Sequence, residues 1–467
     1  MRIKQVSVEG LFGIFNHVIP LNMDDRITIV HGPNGFGKTA MLKMLNGLFN
    51  SQYSVFRNIP FTKFIVLFDD FNKIEVIKAI DASTKSKQQR ELIKIELERK
   101  DSSKETHLLK EIGKSSDADW YINDLLRANN IQDLVPGLER IGSRNWIYQP
   151  TGEPFISIEE ILERFEDILP TKIQQLIRRS KEPEWLAKIK NSVHIRLIES
   201  QRLLNVNIDI PNRSSRTYTS SQYSMLPTVS AYSEELATLI QIKLAEYATT
   251  SQSLDRTFPV RVLQQGSAHE LTDKQLLNRL EELEKTRSRL IEVGLLDKGE
   301  NANFQIHPQD VDEKTKNVLS VYVDDVEKKL SVFNEIASKI ELLREIINNK
   351  FAYSYKQMDF SKERGFIFKT LNTSSLNPET LSPTDLSSGE QHELVLLYEL
   401  LFKVQPSSLV LIDEPELSLH VGWQTQFLKD LQEITKLADL DILMATHSPD
   451  IIQDRWDLTV ELKGSDK

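Results

Sequence analysis

The stretch that decides the fold is Gly-Pro-Asn-Gly-Phe-Gly-Lys-Thr at positions 32–39. An apolar, strand-like run at 26–31 leads into it, and a run with helical spacing at 39–48 follows. Strand, glycine-rich loop and helix in this order form the context in which a phosphate-binding loop works. The residues of this predicted loop are Gly32, Pro33, Asn34, Gly35, Phe36, Gly37, Lys38 and Thr39.

The glycines of the loop allow the backbone to turn tightly and to aim N–H groups at phosphate oxygens. Lys38 is expected to reach the β- and γ-phosphates of a nucleotide, and Thr39 to coordinate Mg²⁺. A glycine turn with an incidental lysine is the alternative, but it does not explain the strand before the loop and the helix after it. We therefore predict ATP and Mg²⁺ as the ligands.

A second set of candidates follows two apolar runs, at 408–412 and 441–445. Asp413 and Glu414 end the first run, where one carboxylate can hold Mg²⁺ through a water and the next can polarise the attacking water. His447 follows the second run, where it would sense the γ-phosphate. Strand-end acids often only cap helices, and a strand-end histidine is often structural. Together with the phosphate loop, the pattern favours Asp413 as a metal ligand, with Glu414 and His447 as catalytic residues.

The segment Leu-Ser-Ser-Gly-Glu at 386–390, termed the signature segment below, precedes a predicted helix at 391–402. Ser387 is a good N-cap residue, and Glu390, three residues later, would complete a capping box. This local role accounts for the segment without any function. It does not account for the acidic strand end that follows, so a functional role stays open beside it.

The composition limits the chemistry that the chain can carry. It has 467 residues, a formal net charge of -10 and no cysteine, which excludes disulfides, thiolate zinc sites and cysteine nucleophiles. The acidic balance argues against a general nucleic-acid coat protein, so DNA is a possible but disfavoured partner. The N-terminus lacks a signal-like pattern, and the longest apolar stretch is too short to cross a bilayer. We therefore expect a cytoplasmic protein with no membrane partner.

The order of strand-like and helical stretches predicts three parts. Residues 1–205 would form the first part of a nucleotide-binding core with an appended antiparallel sheet, and 352–467 the second part. Between them, 206–351 would form a helical insertion with a polar loop at 205–230. Heptad spacing within 269–350 predicts an antiparallel helical hairpin whose longer arm, about 38 residues, spans roughly 55 Å. A globular helical subdomain with an ordinary core seam is the alternative.

Together, these motifs resemble the ABC-type ATPase superfamily, which includes Rad50, RecF, the SMC proteins and the ATPase half of OLD-family nucleases. The resemblance is close over 1–80 and 380–455 and only architectural elsewhere. It implies an α/β fold, an ABC-type ATPase head. In such a head a parallel sheet carries the phosphate loop, an antiparallel β subdomain is appended and a helical, short coiled-coil subdomain is inserted.

The resemblance also implies residue roles. The phosphate loop matches Walker A, Asp413 and Glu414 match Walker B, and Leu417 to His420 lie where the D-loop falls. His447 matches the switch histidine, and Gln201 is the candidate Q-loop residue that contacts nucleotide and metal. Two heads would meet head to tail, so that each ATP lies between Walker A of one copy and the signature segment of the other. The nucleotide contacts of that segment would come from Ser387, Ser388, Gly389 and Glu390, with Ser388 standing where the family has glycine.

Within the superfamily, residues 445–457 are most similar to the stand-alone ATPases of bacterial two-gene phage-defence modules, the AriA ATPases of PARIS systems above all. That likeness implies a self-assembling ring such as a hexamer, a phage-encoded trigger protein and a separately encoded Toprim-type nuclease, AriB-like. OLD-family nucleases continue past the switch histidine into a Toprim domain, whereas this sequence ends 20 residues after His447, so we expect it to lack that domain. Two alternatives stay open: a PtuA-type ATPase of a Septu system with an HNH nuclease, and a RecF-like or Rad50-like ATPase that clamps DNA.

Overall fold

The computed structural model describes most of the chain. The residues that it describes are 1–80, 91–109, 135, 138–141, 145–148, 153–155, 161, 165, 182–198, 204–206, 225–264, 272–297, 313–371, 380–417 and 419–464. They form two compact units, each described by itself below. Among the described residues, the first unit comprises those within 1–198 and 404–464, and the second comprises those within 204–206 and 225–403. The three-part division drawn from the sequence stays a prediction.

The secondary structure alternates between sheets and long helices. In chain order the strands are β1 (Ile3–Leu11), β2 (Phe15–Pro20), β3 (Ile27–His31), β4 (Lys63–Phe68), β5 (Lys73–Ile80), β6 (Glu91–Glu98), β7 (Lys104–Leu109), β8 (Leu138–Ile141), β9 (Asn145–Tyr148), β10 (Glu153–Phe155), β11 (Ile195–Ile198), β12 (Leu204–Val206), β13 (Met225–Pro227), β14 (Lys356–Ser361), β15 (Gly365–Thr370), β16 (Thr380–Leu381), β17 (Leu409–Asp413), β18 (Asp441–Ala445) and β19 (Thr459–Glu461). The helices are α1 (Lys38–Phe49), α2 (Ser54–Asn58), α3 (Glu184–Ser192), α4 (Thr228–Gln264), α5 (Asp273–Glu292), α6 (Glu313–Ser331), α7 (Asn334–Phe351), α8 (Ser388–Tyr398), α9 (Val421–Ala438) and α10 (Pro449–Ile452).

A parallel five-stranded sheet forms the centre of the first unit, in the order β11-β17-β18-β3-β19. Every residue of β17 is buried, as expected of a strand covered on both faces. The register pairs Asp413 with Ala445, and Ala445 with Val30. Because the strands are parallel, their carboxyl ends meet at one edge of the sheet, and the loops that follow β17, β18 and β3 lie there together.

An antiparallel six-stranded sheet, in the order β2-β1-β4-β5-β6-β7, belongs to the same unit. Its inward residues share one hydrophobic core with α1 and the parallel sheet; Leu45, Phe64 and Leu411 are each fully buried in it. The predicted fold class is therefore confirmed: a phosphate-loop parallel sheet, an appended antiparallel sheet and inserted helices.

The helical insertion differs from the predicted hairpin in the direction of its helices. The direction follows from the ion pairs that α5 makes, taken from its N-terminus to its C-terminus. They are Asp273 with Lys316, Arg279 with Asp324 and Glu327, and Arg289 with Glu341. Partner numbers rise along both segments, so α5 runs parallel to α6 and α7, and the predicted antiparallel hairpin is wrong. Heptad spacing reveals that a helix has an apolar seam but not the direction of the helix that covers it.

The antiparallel neighbour of α6 is α4, a helix of 37 residues. Asp255 of α4 pairs with Lys329, and Arg261 pairs with Asp325 further back along α6. Helix α4 begins at Thr228, inside the stretch predicted as a polar loop, and β12 pairs with β13 just before it. The prediction of a continuous loop over 205–230 is therefore wrong at its ends, while 207–224 lie outside the described residues.

The predicted 38-residue arm is also wrong, because a turn at residues 332–333 separates α6 from α7. The ring of Phe333 is fully buried and packs 5.2 Å from the ring of Tyr247 in α4. The apolar spacing continues through this turn, so the pattern alone does not reveal the break.

A buried ion pair fastens α8, the helix after the signature segment, to α7. The Lys350 ammonium donates to the Glu393 carboxylate, with 1% and 0% of the two side chains exposed. Glu399, in the π-helical turn that continues α8, accepts a hydrogen bond of 2.6 Å from the Tyr232 hydroxyl. These contacts join α8 to two helices of the insertion.

Replacing Lys350 by Met should lower the free energy of unfolding of the second unit by about 3–5 kcal/mol, because it leaves the Glu393 charge buried without its cation. The double variant Lys350→Met/Glu393→Leu should recover most of this loss, since apolar pairs often replace buried ion pairs without cost. Urea denaturation measures both. Lys362→Met, whose partner Asp297 is 91% exposed, is the control and should have little effect. A double variant as unstable as the single one would contradict the assignment.

Candidate nucleotide site

The phosphate loop joins the end of β3 to the start of α1. Gly35 and Gly37 both have left-handed backbone conformations, with φ of +84° and +89°. The left-handed backbone of Gly37 favours glycine, and a Cβ atom there would also lie 2.3 Å from the terminal methyl Cδ2 of Leu11, which would have to move. Pro33, Asn34 and Gly35 form the exposed crest of the loop.

The outer side of the loop is held by β2. The Phe36 ring packs 4.9 Å from the Phe15 ring, and the Phe36 carbonyl oxygen lies 2.9 Å from Nε2 of the buried His17. Burial lowers the pKa of His17, so the neutral imidazole can donate its Nε2–H to that carbonyl. Through Phe36, the loop is thus packed against and hydrogen-bonded to β2.

Lys38 folds back across the loop from the first turn of α1. Its Nζ donates to the Gly32 carbonyl at 2.8 Å and to the Pro33 carbonyl at 3.2 Å. Burial lowers the pKa of Lys38, although the carboxylates of Glu414, Asp413 and Glu416 act in the opposite direction. A phosphate anion at the loop would offset the cost of holding this ammonium away from water.

The predicted metal ligands of the loop and the acidic strand lie side by side. The Thr39 hydroxyl donates to Asp413 Oδ1 at 3.0 Å. A hydroxyl and a carboxylate at this spacing suit Mg²⁺, which prefers oxygen ligands and keeps several waters. No cluster of three or more acidic or histidine side chains able to hold a metal occurs among the described residues. Gln201, the third predicted ligand, lies outside them.

Glu414 and His447 face each other next to Lys38. Glu414 has φ of +45°, an uncommon conformation for a non-glycine residue, and its N–H donates to the Ala445 carbonyl at 2.9 Å. His447 Nε2 lies 3.7 Å from Glu414 Oε1, and its Nδ1 lies 3.5 Å from Lys38 Nζ. The structure therefore brings together five of the residues singled out in the sequence: Lys38, Thr39, Asp413, Glu414 and His447.

The sequence reasoning missed Glu416, which accepts hydrogen bonds from the Thr446 hydroxyl and from the backbone N–H of His447. Its position two residues after Glu414 carries no periodic signal, although an acid so close to Glu414 was visible in the sequence.

The predicted D-loop, Leu417 to His420, follows directly. Leu417 ends a short 3-10 turn and is 69% exposed, while Ser418 lies outside the described residues. His420 caps α9 by accepting the Gly422 N–H at 3.2 Å.

The signature segment belongs to the second unit, at the start of α8. Ser387 and Glu390 form the capping box, since the Ser387 hydroxyl accepts the Glu390 N–H and Glu390 Oε2 accepts the Ser387 N–H at 2.8 Å. Burial would raise the pKa of Glu390, but hydrogen bonds from Lys356, Ser354 and Ser387 lower it overall. Ser387 and Ser388 are exposed, with Gly389 half-buried beside them. The local capping role is thus present, and it leaves the exposed serines available to a ligand.

Comparisons with known proteins place the chain in a family. The profile of the AAA ATPase domain family matches residues 1–452. No curated protein matches the chain. Within the described residues, no helix combines the length and apolar character needed to span a membrane.

Solved structures similar to the chain include heads of SMC proteins. The SMC head with an extended coiled coil from Pyrococcus furiosus, bound to the C-terminal domain of ScpA, is 12% identical, with a TM-score of 0.34 and coverage of 97% of this chain and 91% of that one. The SMC head domain from Thermotoga maritima is 11% identical, with a TM-score of 0.33 and coverage of 97% and 92%. With the glycine loop, acidic strand end and histidine assembled at one sheet edge and a family profile that spans nearly the whole sequence, the chain belongs to the AAA ATPase domain family.

Proposed function

We propose that this protein binds ATP with Mg²⁺ and hydrolyses it to ADP and phosphate. The observation that carries the proposal is the cluster of Lys38, Thr39, Asp413, Glu414 and His447 at the carboxyl edge of the parallel sheet. A cation at the phosphates, oxygen ligands for Mg²⁺ and a residue that orients the attacking water are the groups that phosphoryl transfer to water uses. In this cluster the imidazole of His447 lies beside the carboxylate of Glu414.

In the proposed mechanism, the loop N–H groups and Lys38 bind the β- and γ-phosphates and neutralise their charge. Thr39 and Asp413 would hold Mg²⁺, which when bound screens the phosphate oxygens and orients them for in-line attack. Glu414 accepts the proton of the attacking water, and His447 contacts the γ-phosphate from the adjacent loop.

We further propose that catalysis requires two copies of the chain, each supplying its signature segment to the loop of the other. The N-terminus of α8 carries the exposed Ser387 and Ser388, and helix N-termini bind anions through free N–H groups and the helix dipole. ATP would then hold the copies together until it is hydrolysed. A closed ring, such as a hexamer, would need a second contact between copies.

Mass photometry or light scattering should therefore show a homo-oligomer with ATP. Ser387→Asp keeps an N-cap residue, so α8 should stay folded, but it places a negative charge where a γ-phosphate would bind. The dissociation constant of the oligomer formed with ATP should therefore rise at least about tenfold. The control is Ser382→Asp, which makes the same change at the cap of the preceding 3-10 turn. A wild-type protein that stays monomeric with and without ATP would refute the shared site.

At a finer level, we propose that the protein is the cytoplasmic sensor and scaffold ATPase of a bacterial phage-defence module of the PARIS type. In this role it would hold a separately encoded Toprim-type nuclease until a phage protein triggers release. The likeness of residues 445–457 to the AriA ATPases supports this proposal. The nearest alternative is a PtuA-type ATPase of a Septu system with an HNH nuclease partner.

Co-expression with the neighbouring genes, followed by affinity purification, tests the module. We expect a nuclease to co-purify, and phage-dependent toxicity to need both proteins and an intact Lys38. Recovery of the protein alone, together with a several-fold stimulation of its ATPase by duplex DNA, would replace this proposal with a DNA-maintenance function.

A further inference from the structure

Glu416 makes two hydrogen bonds to the segment that carries His447. Its Oε1 accepts the backbone N–H of His447 at 2.6 Å, and its Oε2 accepts the Thr446 hydroxyl at 2.8 Å. Each oxygen of the carboxylate therefore binds a group on the loop that follows β18. Hydrogen bonds to an ionised carboxylate are about twice as strong as those between neutral groups.

The same loop segment is also bound from other sides. Thr446 is fully buried and donates its N–H to the Val30 carbonyl at 3.1 Å, at the end of β3. Its hydroxyl accepts the Ser448 N–H at 3.0 Å, and the Ser448 hydroxyl donates to Gln424 of α9 at 2.6 Å. Residues 446 and 448 are thus fixed to the strand before the phosphate loop and to α9, while Glu416 binds the peptide of His447 itself.

The location of Glu416 in the chain gives these contacts a consequence for the site. Glu416 lies two residues after Glu414, in the short turn Pro415–Leu417. Its hydrogen bond to the His447 N–H therefore links the backbone that carries the proposed base to the backbone that carries the imidazole. With this link in place, His447 Nε2 stands 3.7 Å from Glu414 Oε1.

We propose that Glu416 is a positioning residue that sets the place of His447 beside Glu414 and Lys38. This inference rests on the proposed ATPase function. Glu416 acts through the histidine rather than on the nucleotide, because both of its oxygens are occupied by the loop. A general structural role of the turn, or a charge effect of the Glu416 carboxylate on Lys38, would each give a different result in the experiments below.

A double-mutant cycle tests the proposal by steady-state ATPase kinetics and by nucleotide binding. Glu416→Ala should lower kcat about 10- to 100-fold while the Kd for ATP changes less than about 3-fold. In a His447→Ala background, the same substitution should lower kcat less than about 3-fold further, because the residue through which it acts is gone. A full, additive loss in that background would overturn the proposal and favour the general structural role.

The conservative variant Glu416→Gln separates position from charge. Its amide keeps an oxygen for the His447 N–H and offers an N–H to the Thr446 hydroxyl, so kcat should stay within about 3-fold of wild type. A Gln variant as impaired as the Ala variant would overturn the proposal in favour of the charge effect. Glu433→Ala, at an exposed position of α9, is the control for loss of a carboxylate. If the wild type itself had no ATPase activity, the proposed function would fail, whereas an active wild type with an additive cycle rejects only the role of Glu416.

Discussion

Glu414→Gln should lower kcat for ATP hydrolysis about 10²- to 10⁴-fold, the range that a positioned general base contributes. The amide keeps the size and shape of the side chain but cannot accept the proton of the attacking water. ATP binding should persist, because Lys38, Thr39 and Asp413 remain in place. The expected product is a protein that holds unhydrolysed ATP and stays in its assembled form.

Single-turnover hydrolysis and the Kd for a fluorescent ATP analogue separate the two effects. Glu433→Gln makes the same chemical change on the exposed face of α9 and should leave kcat unchanged. Normal turnover in the Glu414→Gln protein would show that another group serves as the base, and the assignment of Glu414 would then be wrong.

Lys38→Ala should weaken ATP binding at least about 100-fold, because breaking a desolvated charge pair costs about 3–5 kcal/mol. The substitution also removes the donor to the Gly32 and Pro33 carbonyls, so the loop loses two of its internal hydrogen bonds. Activity should fall with binding, in contrast to the Glu414→Gln protein, in which binding remains.

Isothermal titration with ATP and Mg²⁺ measures this loss. Lys43→Ala, on the exposed side of the same helix, is the matched control and should bind ATP normally. Retention of wild-type affinity by the Lys38→Ala protein would contradict the phosphate-loop assignment, which underlies the rest of the proposed mechanism.

The helical insertion shows where sequence pattern stops being informative. Heptad spacing in the sequence showed which face of each helix is apolar. It did not show which helix covers that face, because any apolar face of suitable length can bury it. The ion pairs of Arg279 and Arg289 with acids of α6 and α7 show that α5 runs parallel to them. The burial of Phe333 against α4 accompanies the break that ends α6, and the heptad spacing passes through it unchanged.

The chemical groups of the site could be predicted from the sequence alone. The glycine spacing, Lys38 and Thr39 specify a phosphate loop, because glycine adopts its left-handed backbone without strain, a lysine ammonium suits phosphate and a hydroxyl suits Mg²⁺. The acidic residues and the histidine were assigned to the site because they follow apolar runs that predict buried strands. Parallel strand order then placed Asp413 and the loop after Ala445 at one edge, as expected once the sheet forms.

Which of these groups are in contact depends on the tertiary fold. The 3.0 Å contact of Thr39 with Asp413 joins residues 374 positions apart, and no local pattern encodes such a distance. Glu416 became visible as a partner of His447 for the same reason, since its role depends on how the turn after β17 meets the loop after β18. Local propensity reflects each residue's own backbone, whereas contacts between distant loops are set by the register and packing of the strands that carry them.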